Sequence, residues 1–248
     1  MTAPRCTLVP THERPDLDEQ VETLFSEHWP EFIFHDLGVK PYRERRAEYF
    51  ADLDFWGLDA DGRLVGGCYG VPIRWDGTVE DLPGGYTDAL RRSVEEHEAG
   101  IAPDTLVVMG AMVRTDEKGR GWAGDLLLGL RAKAVACGLE KVIAPVRPTL
   151  KSRYPLTPIE VFAAWTRDDG ALLDPWLRTH ARLGATVLAP APQSQTMTGT
   201  VAEWESWTEQ ALPASGEYVI PDGLALLDVD RDADRGVYHD PNVWMRHL

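Results

Sequence analysis

The chain has 248 residues, 44% of them hydrophobic, enough to bury one sizeable core or one core with an appended layer. Its 40 acidic against 25 basic side chains give a formal net charge of -15. Such a field repels nucleic-acid phosphates and anionic lipid, so neither nucleic acid nor a membrane is an expected partner.

The N-terminal MTAPRCTLVP lacks a basic region followed by a long apolar run, and no later segment nears the ~18 uninterrupted apolar residues that a membrane span needs. A cytoplasmic protein is expected. Cys6, Cys68 and Cys137 are odd in number, far apart and without metal-ligand spacing, so neither a disulfide framework nor a metal site is indicated. Cys6 to Val9 reads as a short strand. From Asp16 to His28, Val21, Leu24 and Phe25 recur at helical spacing, and Tyr42 to Leu53 reads as a second, largely exposed helix. Phe55 to Leu58 and Leu64 to Ile73 flank Asp59-Ala60-Asp61-Gly62-Arg63, a hairpin turned at its Asp-Gly pair. Turn residues then lead into a helix from Thr87 to Glu98.

Thr105 to Val113 is almost wholly apolar, as a strand covered on both faces requires, and forms the expected sheet centre. After a glycine turn, Ala123, Leu127, Leu130 and Ala134 recur every three or four residues, with Gly138 as the helix stop and Lys141 to Val146 as the next strand. Strand, helix and strand in this order predict a parallel, right-handed crossover. A helix from Leu173 or Asp174 to Leu183 and several strand-like pieces ending in NVWMRHL follow. A single unit over residues 1–248 is expected, with 190–248 extending the same sheet.

The turn, Lys118-Gly119-Arg120-Gly121-Trp122-Ala123-Gly124, contains the dinucleotide fingerprint G-x-G-x-x-G. In a dinucleotide fold the first glycine follows its strand almost directly. Here Arg114 to Lys118 intervenes, and Glu140 precedes the next strand rather than ending it. Small residues at a helix start still let main-chain amides and the positive end of the helix dipole meet a diphosphate. Lys118 and Arg120 add charge beside it.

The stretch resembles the acyl-CoA-binding motif of the GNAT superfamily of N-acyltransferases, Arg/Gln-x-x-Gly-x-Gly/Ala, with Lys118 at the Arg/Gln position and Ala123 at the last. Thr115 and Trp122 depart from that motif's frequent proline and aliphatic residue. The resemblance implies a GNAT-like α/β fold, with a mixed, partly parallel sheet flanked by helices and a strand-rich C-terminal elaboration. It implies acetyl-CoA or another acyl-CoA as co-substrate, bound by Lys118 to Gly124 and by the backbone of Met112 and Val113. It further implies direct transfer of the acyl group to a small-molecule amine acceptor. An acyl carrier protein is a second donor to weigh, a noncatalytic acyl-CoA sensor is the rival outside enzymology, and a homodimer stays open.

Amide formation from a thioester needs an uncharged amine, a stabilised oxyanion and a proton donor for the departing thiolate. Superfamily members place a tyrosine acid in Tyr-x-x-Leu-Gly-Phe. His180-Ala181-Arg182-Leu183-Gly184-Ala185 matches that pattern with His180 in the tyrosine's place. Glu160, a carboxylate among apolar neighbours, is the candidate base if burial raises its proton affinity; helix N-terminal dipole compensation is the competing role. Lys141, Arg147, Lys151 and Arg153 form a basic island that meets CoA phosphates, a carboxylated acceptor or an acidic carrier, or else balances nearby acids. The aromatic segments Tyr154 to Trp165 and Trp204 to Trp207 either line an acceptor pocket or pack the core, whereas Trp176 and Trp244 read as packing. His28 and His35 read as surface residues. Asp228 to Asp234 lacks the glycine and glutamate positions of a calcium loop and reads as a charged turn.

Overall fold

A computed structural model describes residues 5–17 and 29–247. Most of the helix expected from Asp16 to His28, including Val21, Leu24, Phe25 and His28, lies outside the described residues. The described strands are β1 (Thr7–Pro10), β2 (Asp54–Leu58), β3 (Leu64–Ile73), β4 (Thr105–Val113), β5 (Lys141–Val146), β6 (Thr186–Gly199), β7 (Gly216–Tyr218), β8 (Leu227–Asp230) and β9 (Arg235–Arg246). They form one sheet in the order β1-β2-β3-β4-β5-β9-β8-β7, with β6 also paired to β9. Among these pairs β4 and β5 alone run parallel, as a strand-helix-strand crossover dictates.

The described α-helices are α1 (Arg43–Tyr49), α2 (Tyr86–Glu98), α3 (Trp122–Ala136), α4 (Ile159–Phe162), α5 (Pro175–Arg182) and α6 (Val201–Thr208). The expected Tyr42–Leu53 helix is shorter: α1 stops at Tyr49, and a separate 3-10 turn, Ala51–Leu53, leads into β2. No residue of α1 is buried, so little packing energy holds it beyond its own ladder.

Helix α3 explains its own position. Leu126, Leu127, Leu130 and Ala134 are buried on its sheet-facing side, each leucine contributing about 1.5–3 kcal/mol of burial. The close approach depends on Gly66 of β3, where an added Cβ would lie 2.2 Å from the Met112 carbonyl oxygen and 2.9 Å from a Leu126 methyl. Gly138 adopts φ +78° just past the helix, and the Leu139 amide reaches back to the Ala134 carbonyl at 2.9 Å, closing the helix end as a Schellman turn.

Helix α5 is fixed at its start. Asp174, 1% exposed, accepts from the amides of Trp176 and Leu177 at 2.8 and 2.9 Å, with Pro175 in the first helical position. Its other oxygen accepts from the Leu150 amide at 2.6 Å, tying α5 to the loop after β5. Burial raises the Asp174 carboxyl above the usual range even so.

The C-terminal strands have their own apolar cluster, built on Phe32, Met197, Trp204, Leu227 and Tyr238. β9 joins it to the main core by pairing with β8 near its start and with β5 near its end, while β6 runs along its other side. The 14-residue β6 precedes the helix α6 directly. α6 is started by a capping box in which Thr200 and Glu203 exchange hydrogen bonds. Among the described residues, no helix is long and apolar enough to cross a membrane.

Candidate active site

β4 and β5 stay paired only from Thr105/Lys141 to Val107/Ile143. Beyond that point β4 pairs with β3 as far as Val113, while β5 pairs with β9. The two parallel strands therefore part. Met109 is the extra residue between the pairs Gly70/Val108 and Tyr69/Gly110, and such a bulge bends its strand away from a neighbour. A cavity of about 680 Å³ occupies the opening, lined by Val108 to Val113 on one side and Ala144 to Arg147 on the other.

Of the residues expected to hold the donor, Met112, Val113, Lys118 and Ala123 line this cavity. Gly119, Arg120, Gly121, Trp122 and Gly124 complete the bend beside it. Arg114 to Lys118, the insertion that argued against a dinucleotide loop, contains a 3-10 turn, Thr115–Glu117. Gly119 and Gly121 have φ of +80° and +90°, values that favour glycine. Gly121 caps α3, and the first-turn amides of a helix have no partner within it.

The bend is braced by side chains rather than filled by them. Glu117, 8% exposed, accepts from the Trp122 indole at 2.9 Å and pairs with Arg120. Arg5 donates to Asp125 and to the Arg120 carbonyl and lies over the Trp122 ring. Arg5 and Arg120 are thus partly neutralised by carboxylates. Lys118 is exposed and has no ion-pair partner among the described residues.

His180 lines the same cavity from α5. It is 2% exposed, and its Nδ1 lies 2.8 Å from Nε2 of His247. Its own Nε2 is buried without a hydrogen-bond partner among the described residues, an arrangement that costs desolvation unless another group satisfies it. Burial, with His247 adding to it, pulls the imidazole down to about 3, so His180 is neutral at physiological pH. Trp176 meets the His180 ring edge-on at 4.5 Å and also lines the cavity. The expectation that Trp176 only packs is corrected by this placement.

Glu160 does not join the site. It is exposed in the first turn of α4, lies outside the cavity lining, and lacks the burial that would make it a base. Three members of the basic island, Lys141, Arg147 and Lys151, are held by partners within the fold, and Arg153 is exposed outside the cavity lining. Lys141 pairs with Asp104 at 2.8 Å, and Arg147 pairs with the fully buried Asp240. Lys151, 1% exposed, donates to the carbonyls of Tyr154 and Leu224, and burial brings it down to about 8. Of the four, Arg147 alone lines the cavity.

The aromatic segments pack. Tyr154, Phe162 and Trp165 contact one another, and Trp204 is fully buried with its indole donating to the Gly236 carbonyl. Trp207 stacks on His35 at 4.0 Å. Trp244 is buried and donates to the Pro83 carbonyl. In the β8–β9 turn, Asp230 accepts from the amides of Asp232 and Ala233, which accounts for that run of aspartates as a turn.

Part of the cavity wall is polar. Asp54 forms a bidentate pair with Arg46, and burial raises its carboxyl above the ordinary value. The hydroxyls of Tyr69 and Tyr86 meet at 2.7 Å, and burial raises both phenols. Asp36 accepts from the Gly38 amide at 2.8 Å and from Thr87. None of these groups carries a local motif; they converge only because β2, β3, α1, α2 and the segment at Asp36 are brought together.

No family model matches the chain. Its sequence is 31% identical to arginine N-acetyltransferase avaD of Aspergillus versicolor over 94% of this chain and 91% of that one. Its fold is similar to the loading GNATL domain of CurA from Lyngbya majuscula, with a TM-score of 0.57 and 16% identity over 98% and 96% of the two chains. It is also similar to the GphF GNAT-like decarboxylase in complex with isobutyryl-CoA, with a TM-score of 0.53 and 17% identity over 98% of each chain. These two likenesses concern the fold.

Proposed function

This chain belongs to the GNAT superfamily and is an N-acyltransferase, and from that premise we propose that it moves an acetyl group from acetyl-CoA directly to an amine of a small molecule. The observation that carries the reading is the parted cleft between β4 and β5, which runs from the glycine bend to His180. Amides of the bend from Gly119 to Ala123, with Lys118, hold the diphosphate through the helix start. Gly124 keeps the first turn of α3 slim. The unpaired edge of β4 at Met112 and Val113 guides the pantetheine arm by main-chain hydrogen bonds.

His180 serves at the thioester end. A neutral imidazole both accepts and donates a proton, and its unpartnered Nε2 is the nitrogen left for the reacting groups. The acceptor enters the polar part of the cavity, where Asp54 is already held by Arg46 and Asp36, which forms no ion pair among the described residues, is the carboxylate left for a cationic substrate. L-Arginine is the first acceptor to test, since the relative avaD is an arginine N-acetyltransferase.

The experiment is thiol release from acetyl-CoA measured with and without L-arginine, and with acetylated carrier protein as the competing donor. The reading expects release that rises with arginine and saturates, with acetyl-CoA the better donor. Release independent of every amine offered contradicts the transfer reading, and preference for the carrier-bound acetyl group replaces the donor.

A further inference from the structure

His247 takes no part in the cavity lining, yet it is the partner of the residue that does. The main chain explains how it arrives there. β9 pairs antiparallel with β5 through Ile143/Arg246, and the His247 amide extends that ladder to the Val142 carbonyl at 2.8 Å. The strand end thus delivers an imidazole to the inner side of α5, 67 residues away in sequence from the His180 ring it contacts. His247 keeps 9% exposure against 2% for His180, so it is the outward member of the pair. The ring of His180 is held between His247 and Trp176, and the neighbouring charge that bears on His247 is Arg131 of α3.

We propose that His180 and His247 form a two-imidazole proton relay in which His247 sets the tautomer of His180 and exchanges its proton with solvent. This rests on the acyl-transfer reading above and adds a positioning residue to it. One proton lies between His180 Nδ1 and His247 Nε2, and its side decides what His180 can do. With the proton on His180, Nε2 is a lone pair and acts as base. With it on His247, Nε2 carries a hydrogen and acts as acid.

The cycle balances. The amine nitrogen bonds to the thioester carbon, and the carbon–sulfur bond breaks to give the thiolate. The proton lost by nitrogen goes to His180 Nε2, the Nδ1 proton of His180 passes to His247 Nε2, and His247 gives its other ring proton to solvent. The reverse shift returns a proton from solvent through His247 and delivers the Nε2 proton of His180 to the thiolate. Neither ring needs to hold a net charge at rest, which suits a pair this deeply buried.

The test compares the wild type with His247→Ala, His247→Gln, His180→Ala and the double alanine variant, using acetyl-CoA and L-arginine, alongside nitrogen-15 spectra of the His180 ring. The relay expects His247→Ala to lower kcat by ~10-fold or more, with the KM for acetyl-CoA little changed. Imidazole in the buffer restores part of the loss. The double variant is no slower than His180→Ala, because the pair acts as a unit. His247→Gln retains an amide for hydrogen bonding but cannot pass a proton, so it folds normally and is as slow as His247→Ala.

In the spectra the wild-type His180 ring exchanges between two tautomers coupled to His247, and His247→Ala abolishes that coupling. Full activity of either His247 variant while His180→Ala is slow overturns the relay and leaves the acyl-transfer reading standing. Losses that add in the double variant, or that imidazole does not touch, also overturn it. If the wild type releases no thiol with arginine, the acceptor reading fails instead, and the spectra decide the pair: a His180 ring indifferent to His247→Ala refutes it.

Discussion

Val107 of β4 and Ile143 of β5 are the last partners between these parallel strands. Past them the six residues Val108 to Val113 keep β3 on one side and an open cavity on the other. A donor arm lying there is worth main-chain hydrogen bonds that a truncated thioester forfeits. The acetyl thioester of a short cysteamine fragment is therefore expected to lose kcat as well as affinity, because binding far from the thioester positions the reacting carbon. Equal kcat for fragment and acetyl-CoA at saturation would place the arm elsewhere.

Gly121, at φ +90°, tests the bend. A valine there strains the backbone by about 1–2 kcal/mol and brings a Cβ within 2.9 Å of the Arg5 guanidinium. Gly121→Val is expected to raise the acetyl-CoA KM about 10-fold if that strain falls on the donor-binding conformation. Calorimetric titration with CoA checks it; unchanged affinity would remove the bend from the donor site.

Lys118 carries the bend's unpaired charge among the described residues. Lys118→Ala is expected to raise the KM for acetyl-CoA several-fold at low salt, with the difference shrinking near ~0.5 M salt as screening sets in. A salt-independent effect would mean that the side chain contributes packing rather than charge.

The buried histidine pair makes a prediction about stability. His180 is pulled down to about 3 and His247 to about 4, in each case chiefly by burial, while an unfolded histidine titrates near 6.5. Between about pH 6.5 and 4 the unfolded chain binds protons that the folded chain does not, so stability falls as pH falls. Each histidine contributes a slope of about 1.4 kcal/mol per pH unit within its window. Above pH 6.5 the contribution is fully present. Urea midpoints at pH 7 and pH 5 should differ less for His180→Gln/His247→Gln than for the wild type. Parallel pH profiles would contradict this.

Asp240 and Arg147 form a buried pair, reinforced by the Tyr238 hydroxyl donating to Asp240 at 2.8 Å. Removing one partner strands the other, so Asp240→Ala is expected to cost about 3–5 kcal/mol. Combined with Arg147→Met, the loss should be smaller than the sum of the two. Additive losses in chemical denaturation would show that the two groups do not depend on each other.

What was legible in the sequence was local. The bend, α3 and its glycine stop are adjacent in the chain, so spacing alone exposes them, and the apolar run of β4 marks the sheet centre. His180 stands out through a short pattern on one helix. What was not legible depends on distant partners. Lys141 and Arg147 read as a free basic island because Asp104 and Asp240 lie 37 and 93 residues away. Lys151 looks solvent-facing until the carbonyl of Leu224, 73 residues on, is brought to it. Glu160 has apolar sequence neighbours, yet the single turn of α4 buries Ile159 and Phe162 and turns the carboxylate outward. Trp176 and His247 carry no motif; only the packing of α5 puts Trp176 at the cavity, and only the end of β9 brings His247 to His180.

A crystal structure with acetyl-CoA tests the central claim most directly. The account predicts diphosphate oxygens on the amides between Gly119 and Ala123, the pantetheine arm along Met112 and Val113, and the thioester carbon beside Nε2 of His180. Acetyl-CoA seated away from the opening between β4 and β5, or a thioester turned away from His180, would contradict it.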